Sequence, residues 1–193
     1  MGSLSEEQRV ALEVEVESAL AAGRTRDAQA RLIERYGPEL LSFLSAVHHD
    51  REAAADVFSQ TCEDLLRTFA SFRRECSWRT WLYTLAKNAS RHHREAGAGR
   101  AAVALSDAPE LEAVRRTTTA AFMRTDWKDR FRALRETLSP DERALLVLRV
   151  DRGMAWDDAA RVLDATPAAL RKRFERIKLA LKDSATQAGW LES

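Results

Sequence analysis

Five polar side chains fall within eight positions of the stretch WRTWLYTLAKNASRHHRE: Lys87, Asn88, Arg91, His92 and Arg94. Stepped at 100° per residue, they take up much of the surface left by an inner stripe of Trp81, Leu82, Leu85 and Ala89. The loop before them, Phe72-Arg73-Arg74-Glu75-Cys76, adds two more cations, and Ser77 is placed to cap the helix that follows. A second set, Arg171, Lys172, Glu175, Arg176 and Lys178, lies outside a helix whose inner residues are Leu170, Phe174, Ile177 and Leu181, with the stem of Arg173 free to pack inward. Cations in such numbers on two helix faces form a surface for a polyanion.

The charge map supports that chemistry. The formal net charge of the 193-residue chain is only +1, yet residues 1–66 hold 6 Lys+Arg against 13 Asp+Glu. Residues 67–100 hold 8 against 2, and residues 166–193 hold 6 against 3. Two basic islands therefore sit in an otherwise acidic chain, each at the end of a helical unit.

Bond-making chemistry is not expected. There is no Gly-rich phosphate loop and no ordered Ser/His/Asp set, so the sequence does not read as an enzyme. His48-His49 and His92-His93 are adjacent pairs that diverge around a helix, and Cys62 and Cys76 form neither a metal spacing nor a disulfide framework. Neither a metal nor another cofactor is expected. No apolar run is long enough to span a membrane and no signal peptide is evident, so a cytoplasmic setting is expected.

Seven Gly and four Pro in 193 residues, with few β-branched residues beside Ala, Leu, Arg and Glu, favour an all-α fold. Helices are expected over 5–22, ended by Gly23, and from Thr25 to Tyr36, where Gly37-Pro38 interrupts before Glu39–Val47. Arg51–Ala70 reads as amphipathic, with Phe58, Thr61, Cys62, Leu65, Leu66 and Phe69 on one arc around Val57. Glu52, Asp56, Ser59, Gln60 and Glu63 fall on the other, leaving Ser59 and Gln60 as an uncharged polar strip between carboxylates. The basic helix should run from Trp78 to Glu95 and end at Ala96-Gly97-Ala98-Gly99. Residues 96–120 have the composition of a linker. Beyond it, helices are expected over Asp126–Leu138, Pro140–Val150, Trp156–Leu163 and Pro167–Ala185. The last two are joined by Asp164-Ala165-Thr166 in the pattern of a helix-turn-helix, whose second helix could lay Arg and Lys against guanine edges.

The stretch SFLSAVHHDREAAADVFSQTCEDLLRTFASFRRECSWRTWLYTLAKNASRHHRE resembles region 2 of the extracytoplasmic-function sigma factors of bacterial RNA polymerase. LRETLSPDERALLVLRVDRGMAWDDAARVLDATPAALRKRFERIKLALK resembles their region 4. The most specific element is SWRTWLYTLAKN, similar to the family's F-R-T-W-L-Y-x-I-A-x-N signature. The resemblance implies two small helical domains joined by a flexible linker. Their bounds would be an acidic helical extension over 1–27, region 2 over 28–96, a linker over 97–125 and region 4 over 126–193.

It also implies roles. Region 2 would bind core polymerase and melt the −10 element, with Asn88 at the base-reading position. Arg73, Arg74, Trp78, Lys87, Arg91, His92 and Arg94 would lie against phosphates and unstacked bases. The segment Phe72–Ser77 matches the one that pockets a flipped base in this family. Region 4 would read the −35 element through Arg171, Lys172, Glu175, Arg176 and Lys178. Core polymerase and promoter DNA would be the partners, in the cytoplasm at the nucleoid.

The core-docking helix departs from the family pattern. Family members carry a strongly acidic D-A-E-D segment where this chain has Ala53-Ala54-Ala55-Asp56, and Gln-Glu where it has Ser59-Gln60. That face, here Glu52, Asp56, Ser59, Gln60 and Glu63, docks on a basic coiled coil of the polymerase. Three readings follow. Glu52, Glu63 and Asp64 compensate; or a Ser/Thr protein kinase restores the charge on Ser59 or Thr61; or the chain no longer binds polymerase well. An anti-sigma factor is a further possible partner of the family. The rival classes are a stand-alone helix-turn-helix regulator with a helical interaction domain, and a purely structural helical adaptor.

Overall fold

The computed structural model describes residues 4–48, 50–105 and 137–187, and among them every regular element is a helix. Four helices form an N-terminal bundle: α1 (Glu6–Ala21), α2 (Thr25–His48), α3 (Arg51–Thr68) and α4 (Trp78–Leu105). A single 3₁₀ turn, Phe69–Ser71, follows α3. The C-terminal unit holds α5 (Pro140–Leu146), which runs into a π-helical turn over Val147–Asp151, then α6 (Trp156–Leu163) and α7 (Pro167–Gln187).

The starts of these helices follow local chemistry. Ser5 and Ser139 each accept from a backbone N–H three residues on, and Gln8 and Glu142 reach back in reciprocal capping boxes. Asp50 accepts from the Glu52 N–H at the start of α3. Gly23, at φ 70, closes the turn after α1 in a conformation that a side chain would strain.

Two expectations at helix interiors fail. Helix α2 does not break at Gly37-Pro38 but runs through from Thr25 to His48 with Pro38 inside it. Proline costs the helix one backbone hydrogen bond, but burial on both sides of it offsets the loss. Tyr36, Leu40, Phe43 and Leu44 are all at most 3% exposed. Gly37 has its own reason. A Cβ there would lie 3.3 Å from the Phe58 ring, so glycine lets α2 and α3 approach closely. Likewise α4 does not stop at Ala96-Gly97-Ala98-Gly99 but continues to Leu105. The rest of the expected linker, and the helix expected over Asp126–Leu138 apart from Thr137 and Leu138, lie outside the described residues.

The bundle and the C-terminal unit share one apolar core. Phe43 packs edge-on against Tyr83 at 5.1 Å in the bundle, while Leu145, Leu148, Leu170 and Ile177 fill the other end. Helix α6 packs on α4, and α5 packs on the C-terminal half of α2. The second unit thus sits against the basic helix rather than apart from it.

Candidate nucleic-acid and polymerase interfaces

The basic helix α4 presents its expected residues unequally. Asn88, Arg91 and His92 are exposed, and so is Arg73 in the preceding loop. Lys87 is only 13% exposed, and its ammonium lies 3.0 Å from Asp141 of α5. Arg94 reaches the same carboxylate at 3.2 Å. Arg74 stands at φ 56 and pairs with Glu17 of α1. Burial works against the charge on Asp141, yet Lys87 and Arg94 outweigh it and hold the carboxyl below its ordinary range.

Trp78 requires a correction. Expected at the DNA face, it is 3% exposed, stacked on Phe69 at 5.1 Å and tilted against Phe72 at 4.4 Å. Trp81, placed on the inner stripe by periodicity, is the half-buried member, stacked on Phe72 at 4.6 Å. The reason is the 3₁₀ turn and the loop after it, which fold Phe69 and Phe72 across the first turn of α4. A helical wheel carries no trace of that crossing.

Beneath this face lies a polar junction that sequence reading missed. Glu39 of α2, 5% exposed, accepts from the Arg79 Nε at 3.0 Å and from the Tyr83 hydroxyl at 2.8 Å. Burial and the Glu39 carboxylate together push the Tyr83 hydroxyl well above its usual pKa. Arg152, from the end of the π-helical turn, approaches the same carboxylate and donates to Ser42 Oγ at 3.0 Å. Arg143 of α5, 8% exposed, donates to the Val47 carbonyl from Nε at 3.0 Å, so the second unit satisfies an otherwise open end of α2. The one local signal was a carboxylate and a guanidinium set among apolar neighbours, Glu39 beside Leu40 and Arg79 between two tryptophans.

On α3, Glu52, Asp56, Ser59, Gln60 and Glu63 are all exposed, as expected of a docking face. Glu52, Asp56 and Glu63 form no ion pair among the described residues. Asp64 differs: Arg67 pairs with it at 2.5 Å and Gln60 donates to it at 3.1 Å, so part of its charge is already answered. Thr61 is 1% exposed, and its hydroxyl donates to the Val57 carbonyl at 2.7 Å. Leu66, expected inside, is 52% exposed because it sits at the edge of that arc, about 180° round from Val57, while Leu65 and Phe69 nearer its middle are buried. A cleft of about 510 Å³ separates the acidic and basic faces, lined by Asp56, Gln60 and Asp64 on one side and His92 and His93 on the other.

In the C-terminal unit, Asp164 ends α6 at φ 49, and Thr166 Oγ1 accepts from the Ala169 N–H to start α7 behind Pro167. Trp156 of α6 meets Phe174 of α7 edge-on at 5.7 Å, fixing the pair as a helix-turn-helix. Arg171, Lys172, Glu175, Arg176 and Lys178 all project to solvent. Glu175 pairs with Lys178 at 2.8 Å, and the Arg171 guanidinium lies 5.4 Å from the Trp156 ring centroid.

An all-α bundle joined to a helix-turn-helix is the architecture of sigma regions 2 and 4, and comparison with known proteins agrees. Residues 32–98 match the family model of sigma-70 region 2. The chain is 26% identical to the RNA polymerase sigma-H factor of Pseudomonas aeruginosa, covering 81% of this chain and 84% of that one. It is 27% identical to the RNA polymerase sigma factor YlaC of Bacillus subtilis, covering 84% and 95%. Two solved structures share the fold. The sigma factor RpoE of Bartonella quintana, in complex with the anti-sigma factor NepR, superposes at TM-score 0.58 with 20% identity over 76% of this chain and 89% of that one. CnrH, in complex with the cytosolic domain of CnrY, superposes at 0.62 with 19% identity over 93% and 97%. Taken together, residues 32–98 match sigma-70 region 2 and most of the chain is similar to RNA polymerase sigma factors.

Proposed function

We propose that this chain is a sigma factor and directs polymerase to promoters through three surfaces. The exposed face of α3 docks on the core enzyme. Asn88, Arg91 and His92 on α4, with Arg73 in the loop before it, take the −10 strand. Arg171, Lys172 and Arg176 at the start of α7 take the −35 duplex. The observation that carries this reading is the separation of charge by face. Glu52, Asp56 and Glu63, with no ion pair among the described residues, line α3, while cations and one exposed amide line the adjacent α4. The amide of Asn88 offers both a donor and an acceptor to a base edge, and the cations suit phosphates.

In vitro transcription with core polymerase and no other sigma factor tests it. Initiation at mapped start sites is expected, and Asn88→Ala together with Arg91→Ala should abolish it. A stand-alone helix-turn-helix regulator would bind duplex DNA yet give no transcript.

The thin acidic face bears on regulation. Glu52, Asp56 and Glu63 supply the docking charge, and phosphate on Ser59 adds to it. Ser59 is the accessible hydroxyl; Thr61 is enclosed and would have to leave its bond to Val57 to meet a kinase. Ser59→Glu should tighten binding to core polymerase several-fold with stability unchanged. Thr61→Glu should instead cost about 2 kcal/mol or more, because it buries a charge. If unmodified protein binds core as tightly as Ser59→Glu, no such switch is needed. An anti-sigma factor is the other regulator this reading admits, by likeness to the complexes of RpoE and CnrH.

A further inference from the structure

A cleft of about 490 Å³ opens where α1, Tyr36 of α2, the first turn of α4 and the chain from Gly153 into α6 meet. It uses none of the side chains proposed above for core polymerase or DNA. Its volume falls in the usual range of small-molecule sites, roughly 300–1,000 Å³.

The polar groups of its wall are unevenly matched. Arg9 of α1 is engaged by Glu6 and by the Leu4 carbonyl. Arg79 of α4 is engaged by Glu39, to which its Nε donates at 3.0 Å. Two carboxylates of the wall have no such cation. Glu13 of α1 accepts from the Trp78 N–H at 3.2 Å, and Asp158 of α6 accepts from the Thr80 hydroxyl at 3.1 Å. Both are half-buried, and neither forms an ion pair among the described residues. Burial holds the Glu13 carboxyl above its ordinary range, against the pull of the Trp78 N–H.

The same wall holds an oxygen without a partner. Tyr36 is 1% exposed, and its buried hydroxyl makes no hydrogen bond. Burial first, then Glu13, push its pKa up to about 12, so the hydroxyl is neutral. Such an orphaned group is rare in a folded chain and points to a missing neighbour. What the cleft lacks is therefore N–H donors and positive charge. An anion would meet two uncompensated carboxylates. A metal ion does not fit either, since no three His, Cys, Asp or Glu side chains converge at ligand spacing among the described residues. Val10, 56% exposed, and Met154 give the wall an apolar portion on which a methylene stem can lie.

We infer that this cleft binds a small organic cation of the aliphatic amine or diamine class, whose ammonium groups pair with Glu13 and Asp158 and donate to the Tyr36 oxygen. The wall is drawn from α1, α2, α4 and α6, so a bound amine stabilises the contact among them.

Calorimetric titration of the full chain with the diamine putrescine, at constant ionic strength, tests this. Saturable binding at one site is expected. A free concentration about ten times Kd should raise the thermal midpoint by about 2–4 °C. Glu13→Gln and Asp158→Asn keep an oxygen for the Trp78 N–H and the Thr80 hydroxyl and remove the charge, and each should weaken binding about tenfold. Tyr36→Phe should weaken it about threefold. Glu34→Gln removes an equal charge from an exposed position outside the cleft and should change affinity by less than about twofold. Butanediol, of the same length and uncharged, should not bind. No saturable heat from putrescine would overturn the assignment. So would a loss in Glu34→Gln as large as in Glu13→Gln and Asp158→Asn, because the diamine would then be answering only the acidity of the surface. Should one of the two cleft variants fail to fold, as its melt would show, the other carries the same prediction.

Discussion

Helices α4 and α7 carry similar charges and differ in what holds them. On α7 the cations project to solvent, and the ion pair there, Glu175 with Lys178, is local and exposed. On α4 two of the five expected residues, Lys87 and Arg94, are tied to a carboxylate of another domain. The loop before α4 is tied to α1. The same side-chain types are thus a ready surface in one place and an occupied one in the other. What decides is location: α7 lies at the edge of the molecule, and α4 lies where three elements converge. A basic helix in a sequence marks where an anion can go, but only the packing tells whether one is already there.

The strongest way to break this contrast is to remove the charge at the base of the junction. Glu39→Ala leaves Arg79 buried without its carboxylate and should cost about 3–5 kcal/mol. The urea midpoint measures it, and a destabilisation under about 1 kcal/mol would mean that the junction is held by apolar packing alone.

Acid titration sharpens the contrast next. Burial first, then the neighbouring His93, Arg94 and Arg143, lower the His48 pKa from 6.5 to about 4. Between those values the unfolded chain binds a proton that the folded chain refuses, so stability is full above 6.5 and falls as pH drops towards 4. Asp141, held below its ordinary range, adds a further loss as pH falls through its lowered value. Thermal melts should follow this course, and His48→Gln should flatten the part above pH 4. Melts that stay the same from neutral pH down to that value would contradict the burial of His48 against Ser90, 2.8 Å away.

The smallest effect belongs to α7. Arg171→Ala with Lys172→Ala and Arg176→Ala should leave stability within about 0.5 kcal/mol of the parent. The salt slope of duplex binding should fall by about 0.9 for each phosphate that these side chains no longer neutralise. A clear drop in stability would show that these side chains, too, are bound into the fold.

How much of this was legible in the sequence varies with the range of the interaction. Ser77 announced the start of α4, and Asp164-Ala165-Thr166 announced the turn, because capping is decided within four residues. The exposed docking strip on α3 was equally readable from its period. Pro38 misled because the rule against proline weighs one hydrogen bond and not the core on either side. Gly97 and Gly99 misled because glycine weakens a helix by only about 1 kcal/mol and does not by itself end one. Trp78 and Trp81 exchanged roles because Phe69 and Phe72 cross the helix from outside its own period. The pairs Glu39–Arg79, Asp141–Lys87 and Glu17–Arg74 join residues 40, 54 and 57 positions apart, and spacing carries no information at that distance.

The π-helical turn has a consequence of its own. Its hydrogen bond from the Arg152 N–H to the Val147 carbonyl spans five residues instead of four, so the turn carries one residue more than an α-helix would. That insertion advances the phase of the chain by about 100°, and it is what swings Arg152 round to Glu39. Deleting Val150, which is 53% exposed, would restore a regular helix and leave Arg152 itself in the chain. Arg152 would nevertheless point elsewhere. The fit between the two domains is therefore written partly in the length of this turn, and a relative that lacks the extra residue would have to join its regions 2 and 4 by different contacts.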